Sequence, residues 1–317
     1  KRQATTMKEI LCVDIGGSKY MVGVITPEGK ILYSRKVLWK GEAGNPERIL
    51  GNIIQTVDEV LEKHPLCRKN PMGMTIPGLA DPEKGVWRSS EFLGVFNLSV
   101  GSLFQRRYGV PLKMENDANA CAYAECFFGE GRMCKDFLYL TVSNSIGGAL
   151  CLNGEIYTGA WGEAGEFGMC PAEDLLEKNA TVRRPLELLA SGRGLSDNYY
   201  RLKGLPNGRR IHAAVLERYA QRGDAAAIQA FELEGIYLGR AIAHAAFLLN
   251  PRKVVLGGGL SLLFDIYKSS LMDTLRCEMK RLPDGMPEVK ATSLGYHGAL
   301  LGAAALVLKV QQTEKGG

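Results

Sequence analysis

Two aspartates of this 317-residue chain stand where a carboxylate could act on a phosphate or a hydroxyl. Asp14 lies at the end of the apolar run Ile10 to Ile15 and abuts a Gly-Gly turn. A carboxylate there can hold magnesium, directly or through its waters, against phosphates, or it can simply start a turn by bonding nearby backbone. Asp117 lies in Glu115-Asn116-Asp117-Ala118-Asn119, where a strand hands over to a helix, so Asn116 and Asp117 project from the carboxyl end of a strand. That is the usual ligand edge of an α/β sheet. Asp117 is a candidate general base; an aspartate at a helix start is equally a helix N-cap, and residue type does not separate the two roles. Three glycine-rich turns each follow a strand: Gly16-Gly17-Ser18-Lys19, Ser143-Asn144-Ser145-Ile146-Gly147-Gly148, and Gly257-Gly258-Gly259. Adjacent glycines let backbone N–H groups approach an anion with no Cβ in the way. One such turn is more often a hairpin device, but three in one chain favour a nucleotide. Lys19 could meet a phosphate or be solvated. No Walker A sequence is present and no G-x-G-x-x-G follows a strand, which disfavours P-loop and dinucleotide folds.

The elements that must position these residues alternate between strands and helices, which argues an α/β architecture. Ile10 to Ile15, Tyr20 to Thr26 and Ile31 to Leu38, separated by Gly16-Gly17 and Pro27-Glu28-Gly29, predict a three-stranded antiparallel meander. Pro46 opens a helix with Ile49, Ile53, Val57 and Leu61 on one face and Pro65 beyond its end. A strand from Gly73 to Ile76, a Pro77-Gly78 turn, a helix around Leu98 to Tyr108, a strand from Pro111 to Glu115 and a helix from Ala118 to Phe128 follow. The opening pattern then restarts with strands Phe137 to Val142 and Gly147 to Leu152 and the hairpin turn Asn153-Gly154 into Glu155 to Tyr157. A helix from Asp224 to Asn250, apolar on most sides, is expected to be buried. Strand Lys253 to Leu256, a helix from Ser261 to Arg281, a strand near Val289 to Thr292 and a helix from Gly298 to Leu308 complete the chain. The repeated pattern places a domain boundary near Asn116-Asp117: a small α/β lobe of 1–117 plus 300–317 and a large α/β lobe of 118–299.

A hydrophobic fraction of 46% can supply two cores, and the net charge of +5, with 39 basic residues interspersed among 34 acidic ones, gives no basic stripe for nucleic acid. With no apolar run of about 18 residues and a polar start, neither membrane span nor secretory signal is visible, so a cytoplasmic protein is expected. The eight cysteines form no C-x-x-C pair and the four histidines no H-x-x-x-H, so reduced core thiols are expected and structural zinc is not.

Asp14-Ile15-Gly16-Gly17-Ser18-Lys19, Pro77-Gly78, Glu115 to Asn119, Asn153-Gly154 followed by Gly159-Ala160-x-Gly162-x-Ala164-Gly165-Glu166-x-Gly168, Leu186-Glu187 with Ser191-Gly192, and Gly257 to Gly259 together resemble the ROK family (repressors, open reading frames and kinases) in order and spacing. The likeness spans nearly the whole chain, and its middle block is the most specific part. It implies an actin-like ATPase (ribonuclease H-like) fold, two α/β lobes with ATP and a sugar in an interlobe cleft. It also implies a kinase in which Asp117 takes the proton from a hexose hydroxyl, usually the 6-hydroxyl, whose oxygen attacks the γ-phosphoryl in line. On that likeness Gly78, Glu91, Asn116, Asp117, Glu166 and Glu187 belong to the sugar. Asp14, Gly16, Gly17, Ser18, Lys19, Asn144, Ser145, Gly147, Gly148, Gly257, Gly258 and Gly259 belong to ATP, with Mg2+ at Asp14, directly or through water. A homodimer is the family expectation.

The sequence also departs from the family pattern. Gly168-Met169 stands where Gly-His is usual, and the Cys-rich zinc loop is replaced by Cys170 to Pro185 with a single Cys, so no zinc is expected. The second phosphate turn reads Ser143-Asn144-Ser145 where Gly-Thr-Gly is more frequent, and Glu91 falls where asparagine is common. The family's repressors carry a helix-turn-helix ahead of the first phosphate strand; about nine residues precede it here, so direct DNA binding is not expected. Two functions stay open: an ATP-dependent kinase of a hexose, amino sugar or glycoside, and a sugar-binding regulatory ROK protein without kinase activity.

Overall fold

The computed structural model describes residues 8–178 and 182–316. They separate into two compact units: 1–132 with 159–163 and 297–317, and 133–158 with 164–296.

The first unit begins with the expected meander, β1 (Ile10–Ile15), β2 (Lys19–Ile25) and β3 (Ile31–Leu38). Helix α1 (Pro46–Lys63) follows; Asn45 caps it by accepting from the Arg48 N–H at 3.0 Å, and Ile49, Ile53, Val57 and Leu61 are buried. Strands β4 (Met72–Ile76), β5 (Leu79–Asp81), β6 (Val86–Ser90) and β7 (Val95–Leu98), helix α2 (Val100–Tyr108), strand β8 (Leu112–Asn116) and helix α3 (Asp117–Phe128) complete this stretch. The main sheet runs β3-β2-β1-β4-β8, with β1, β4 and β8 parallel and the first two hairpins antiparallel. The small sheet β5-β6-β7 has no counterpart in the sequence reading, its strands being too short and too broken by Gly and Ser to show a period. Trp87, fully buried, fastens it: its indole N–H donates to the Pro77 carbonyl at 3.0 Å.

The second unit repeats the plan. It contains β9 (Phe137–Val142), β10 (Ile146–Leu152), β11 (Glu155–Tyr157), β12 (Pro171–Glu173), β13 (Arg183–Pro185), α4 (Gly192–Leu202), α5 (Ala213–Gln221), α6 (Ala225–Leu249), β14 (Lys253–Gly257), α7 (Phe264–Glu278) and β15 (Glu288–Ala291). Its sheet runs β11-β10-β9-β14-β15, two antiparallel hairpins beside two parallel pairings, the same order and sense as the first. Helix α6 is held at its start by Asp224, which accepts from the Ala227 N–H at 3.1 Å, and stops at Asn250 in the left-handed region before Pro251. As expected it is largely buried, in one core with residues of α4, α5 and α7, although Phe247 and Leu248 stay exposed.

The last helix, α8 (Gly298–Gly316), belongs to the first unit. It packs on α3 and across β4 and β1, so close that a Cβ on Gly73 would overlap the Ala303 carbonyl. That packing draws α3 into the first unit. The division therefore falls at Arg132 rather than after Asp117, and at 297 rather than 300, and the short segment 159–163 also joins the first unit.

Candidate functional site

The first unit gathers its polar residues at the carboxyl edge of β1, β4 and β8. Parallel pairing sets Asp14 beside Thr75, and Thr75 beside Glu115, one rung across three strands. Residues paired in this way share a face of the sheet. The Thr75 hydroxyl donates to Asp14 Oδ1 at 2.8 Å. Burial pushes the Asp14 carboxyl above its ordinary range, against the opposing pull of the Thr75 hydroxyl, Lys19 and His297. A carboxylate so placed fits a cation: burial disfavours its charge, and a bound cation would offset that cost. Gly16 donates its N–H to the Lys19 carbonyl at 2.8 Å, closing the first turn, and the Trp39 indole donates to the Gly16 carbonyl at 2.9 Å. Gly17 is exposed and lies against the Phe92 ring, one residue beyond Glu91. Gly78 has φ +86°, and the Ser89 carbonyl lies where a Cβ would be, so only glycine fits this turn.

At the β8–α3 junction the cap is Asn116, whose Oδ1 accepts from the Asn119 N–H at 2.8 Å. Asp117 is the first helical residue, and its Oδ1 accepts from the Ala118 N–H at 2.9 Å. Glu115, buried beneath them, accepts from the Asn116 N–H at 2.8 Å, and burial pushes its carboxyl up. The sequence left Asp117 as either base or cap; Asn116 takes the cap.

In the second unit the remaining two turns converge. The turn Ser143-Asn144-Ser145 links β9 to β10, closed by the Ser143 N–H donating to the Ser145 carbonyl at 2.9 Å. The Gly192 N–H, at the start of α4, donates to the Ser143 carbonyl at 2.6 Å. The Ser191 hydroxyl donates to the Glu187 carbonyl at 2.6 Å and lies 3.2 Å from the Asn144 carbonyl. Gly258, with φ +78°, presses onto the end of β9: a Cβ there would stand 2.5 Å from the Val142 carbonyl oxygen. Gly257 abuts Tyr139 of β9, whereas Gly259 has open space around its Cα. Arg210 also reaches this turn, donating from Nη2 to Asn144 Oδ1 at 2.6 Å.

Gly147 and Gly148 sit inside β10, paired with Thr141 and Leu140, rather than in the turn. The bare Cα of Gly148 makes room for Phe167 and Gly165, so the segment carrying Glu166 lies over the strand. Gly168 then brings this segment against Glu187, its would-be Cβ 3.3 Å from that of Glu187. Glu166 and Glu187 thus occupy neighbouring short 3-10 turns, Phe167–Met169 with Glu166 as its cap and Leu186–Leu188. Met169 and Cys170 are exposed. Among the described residues no group of three His, Cys, Asp or Glu side chains could hold a metal ion; residues 179–181 of the loop from Cys170 to Pro185 lie outside the described residues. A cavity of about 720 Å³ opens over the outer face of α6, lined by His244, Leu248 and Arg240 among others. Glu166 is the single candidate site residue on its wall, and the glycine turns lie elsewhere.

The sequence reading missed Thr75, Glu115 and Arg210 as parts of these clusters. Thr75 lies 61 residues from Asp14 and Arg210 lies 66 from Asn144, separations that no local pattern can bridge.

Two sheets of one repeated topology, each opened by a strand–turn–strand hairpin, define the actin-like ATPase fold. The ROK family model matches residues 10–310, and the chain belongs to the ROK family. It is similar to a glucokinase of Thermotoga maritima, 30% identical with 94% of this chain and 97% of that protein covered. An N-acetyl-D-glucosamine kinase of Pasteurella multocida is 29% identical, covering 93% and 98%. The crystal structure of a ROK family glucokinase from Streptomyces griseus in complex with glucose and AMPPNP superposes with a TM-score of 0.75 at 27% identity, covering 95% and 99%. No helix among the described residues is long and apolar enough to cross a membrane.

Proposed function

We propose that this chain is an ATP-dependent sugar kinase that phosphorylates a hydroxyl, the 6-hydroxyl, of a hexose, amino sugar or glycoside. The observation that carries this reading is the β8–α3 junction, where Asn116 supplies the helix cap and Asp117 is spared that role at the ligand edge of the sheet. The relatives act on glucose and N-acetylglucosamine by name, which supports a hexose with a free primary hydroxyl. Asn116, with its Oδ1 committed to the cap, keeps its amide N–H groups to donate to a sugar hydroxyl. Glu166, Glu187 and Glu91 supply acceptors for further hydroxyls, and Gly78 lets the backbone approach the ring. Asp117 takes the proton of the sugar hydroxyl, and the hydroxyl oxygen attacks and bonds to the γ-phosphorus while the bond to the β–γ bridging oxygen breaks and ADP leaves.

Gly16 to Lys19, Asn144 and Ser145, and Gly257 to Gly259 hold ATP on this reading. The packing role of Gly148 leaves its contact with phosphate indirect. Asp14, kept in place by Thr75, would hold Mg2+, directly or through water, and a bound Mg2+ neutralises charge on the phosphates. The exposed Phe247 and Leu248 on α6 support assembly as a homodimer, and the sugar-kinase relatives support a cytoplasmic protein.

A coupled assay for ADP release over glucose, N-acetylglucosamine, other amino sugars and disaccharides tests the reading. Turnover on at least one is expected. Sugar binding without turnover on any of them would instead support a regulatory sugar-binding protein, the reading that the altered Ser143-Asn144-Ser145 turn motivates.

A further inference from the structure

The second turn carries side chains where an open phosphate cradle would carry none. Ser143, Asn144 and Ser145 each bring a Cβ and a polar group, so a polyphosphate cannot sit as near to the backbone as it can over glycine. The same turn is the one that an exposed arginine reaches. Arg210 lies in the connection between α4 and α5, and its Nη2 donates to Asn144 Oδ1 at 2.6 Å. The guanidinium also lies over the start of α4: a Cβ on Gly192 would stand 3.0 Å from Nη2 and 2.9 Å from the Ser143 carbonyl oxygen. Glycine at 192 therefore lets cation, turn and helix start meet. Among the described residues no carboxylate pairs with Arg210, so its charge is not neutralised in place. A guanidinium has five N–H donors and Asn144 uses one direction of them, leaving the rest of the fork for a second acceptor.

We propose that Arg210 is a phosphate-binding residue of this chain, supplying to the β- and γ-phosphates of the nucleotide the positive charge that its second turn cannot supply through bare backbone. The proposal rests on the reading of this turn as part of an ATP site and names a residue that the turn motif does not contain. Asn144 is then a positioning residue: it holds the guanidinium over the turn in the absence of nucleotide. An exposed cation held by one neutral partner adds little to folding stability, so its placement here is better explained by an anion than by the fold. Paired with phosphate oxygens the same group makes charge-assisted, bidentate hydrogen bonds.

The test is calorimetric titration of wild type, Arg210→Gln and Arg210→Lys with ATP, ADP and AMP, together with KM for ATP and for sugar. Arg210→Gln should weaken ATP and ADP binding by about 10- to 100-fold, the range for losing a charge-assisted hydrogen bond, and raise KM for ATP alike. AMP affinity, KM for sugar and melting temperature should stay within about 2-fold or a degree or two, and Arg210→Lys should recover part of the loss. A uniform loss across ATP, AMP and sugar would make Arg210 a structural residue and overturn the proposal. So would unchanged ATP affinity in Arg210→Gln while wild type binds and turns over ATP, an outcome that leaves the kinase reading standing. Absence of any nucleotide binding by wild type would remove both together.

Discussion

At the scale of the residue, two carboxyls have opposite assignments. Asp117 stands at a sheet edge with the helix cap provided by Asn116, while its own Oδ1 accepts from the Ala118 N–H. Asp117→Asn should keep sugar affinity and lower kcat by roughly 10²- to 10⁴-fold, the span for losing a general base, as read by steady-state kinetics beside sugar titration. Unchanged turnover would remove it as the base. Glu234 on α6 does no such work: it is fully buried, neither carboxyl oxygen has a hydrogen-bond partner among the described residues, and burial pushes it up to about 8. Its neighbour Tyr267 is pushed up by burial and by Glu234, and donates to the Leu260 carbonyl just beyond the third glycine turn. The folded chain thus holds a proton that the unfolded chain releases near 4.5. Stability from this group is complete below about pH 4.5 and is lost as pH rises toward 8, on the order of several kcal/mol in all. Glu234→Gln, which cannot ionise, should be indistinguishable from wild type in thermal denaturation near pH 5 and clearly more stable near pH 8.5. Parallel pH profiles would show that Glu234 titrates normally.

At the scale of the element, the tight seam between α8 and the first sheet is the packing that most constrains sequence. Gly73→Ala sets a Cβ against the Ala303 carbonyl and should cost about 1–3 kcal/mol or more in denaturant unfolding, whereas Gly51→Ala, on the exposed interior of α1 with nothing within 4 Å, should gain about 0.5–1 kcal/mol. An equal effect of the two would show that the seam is loose. Strands of unbroken Val, Ile and Leu, and helices with an apolar face between Pro and Gly stops, were legible from the chain alone: β1 to β4, α1 and α6 lie within a residue or two of where their patterns put them. Helices α4 and α5, the β12–β13 hairpin and the small sheet were not, because each is brief and takes its stability from tertiary contacts rather than from its own period. The site divided in the same way. Asp14, Asn116, Asp117 and the glycine turns are marked by local types at strand ends, while Thr75 and Arg210 join them through pairings that span 61 and 66 residues. Gly147 and Gly148 misled in the other direction: adjacent glycines read as a cradle, and one of them clears space for Phe167.

At the scale of the whole molecule, two units with the same five-stranded plan each carry their own polar set: Asp14, Asn116 and Asp117 with the turn Gly16 to Lys19 in the first, the other two glycine-rich turns with Arg210, Glu166 and Glu187 in the second. The loop from Cys170 to Pro185 offers one cysteine to a metal, and metal analysis of protein purified without chelator should find far less than one zinc per chain; a stoichiometric content would mean that residues elsewhere complete a site. The chain passes from one unit to the other after 132, 158, 163 and 296, and the helix that covers the first sheet follows every other described element in the chain. A nascent chain leaving the ribosome therefore presents β1 to β4 long before α8 exists to cover them. The second unit, complete by residue 296, can fold while its partner still waits, so the interval of greatest exposure to chaperones and to misassociation belongs to the half that was synthesised first.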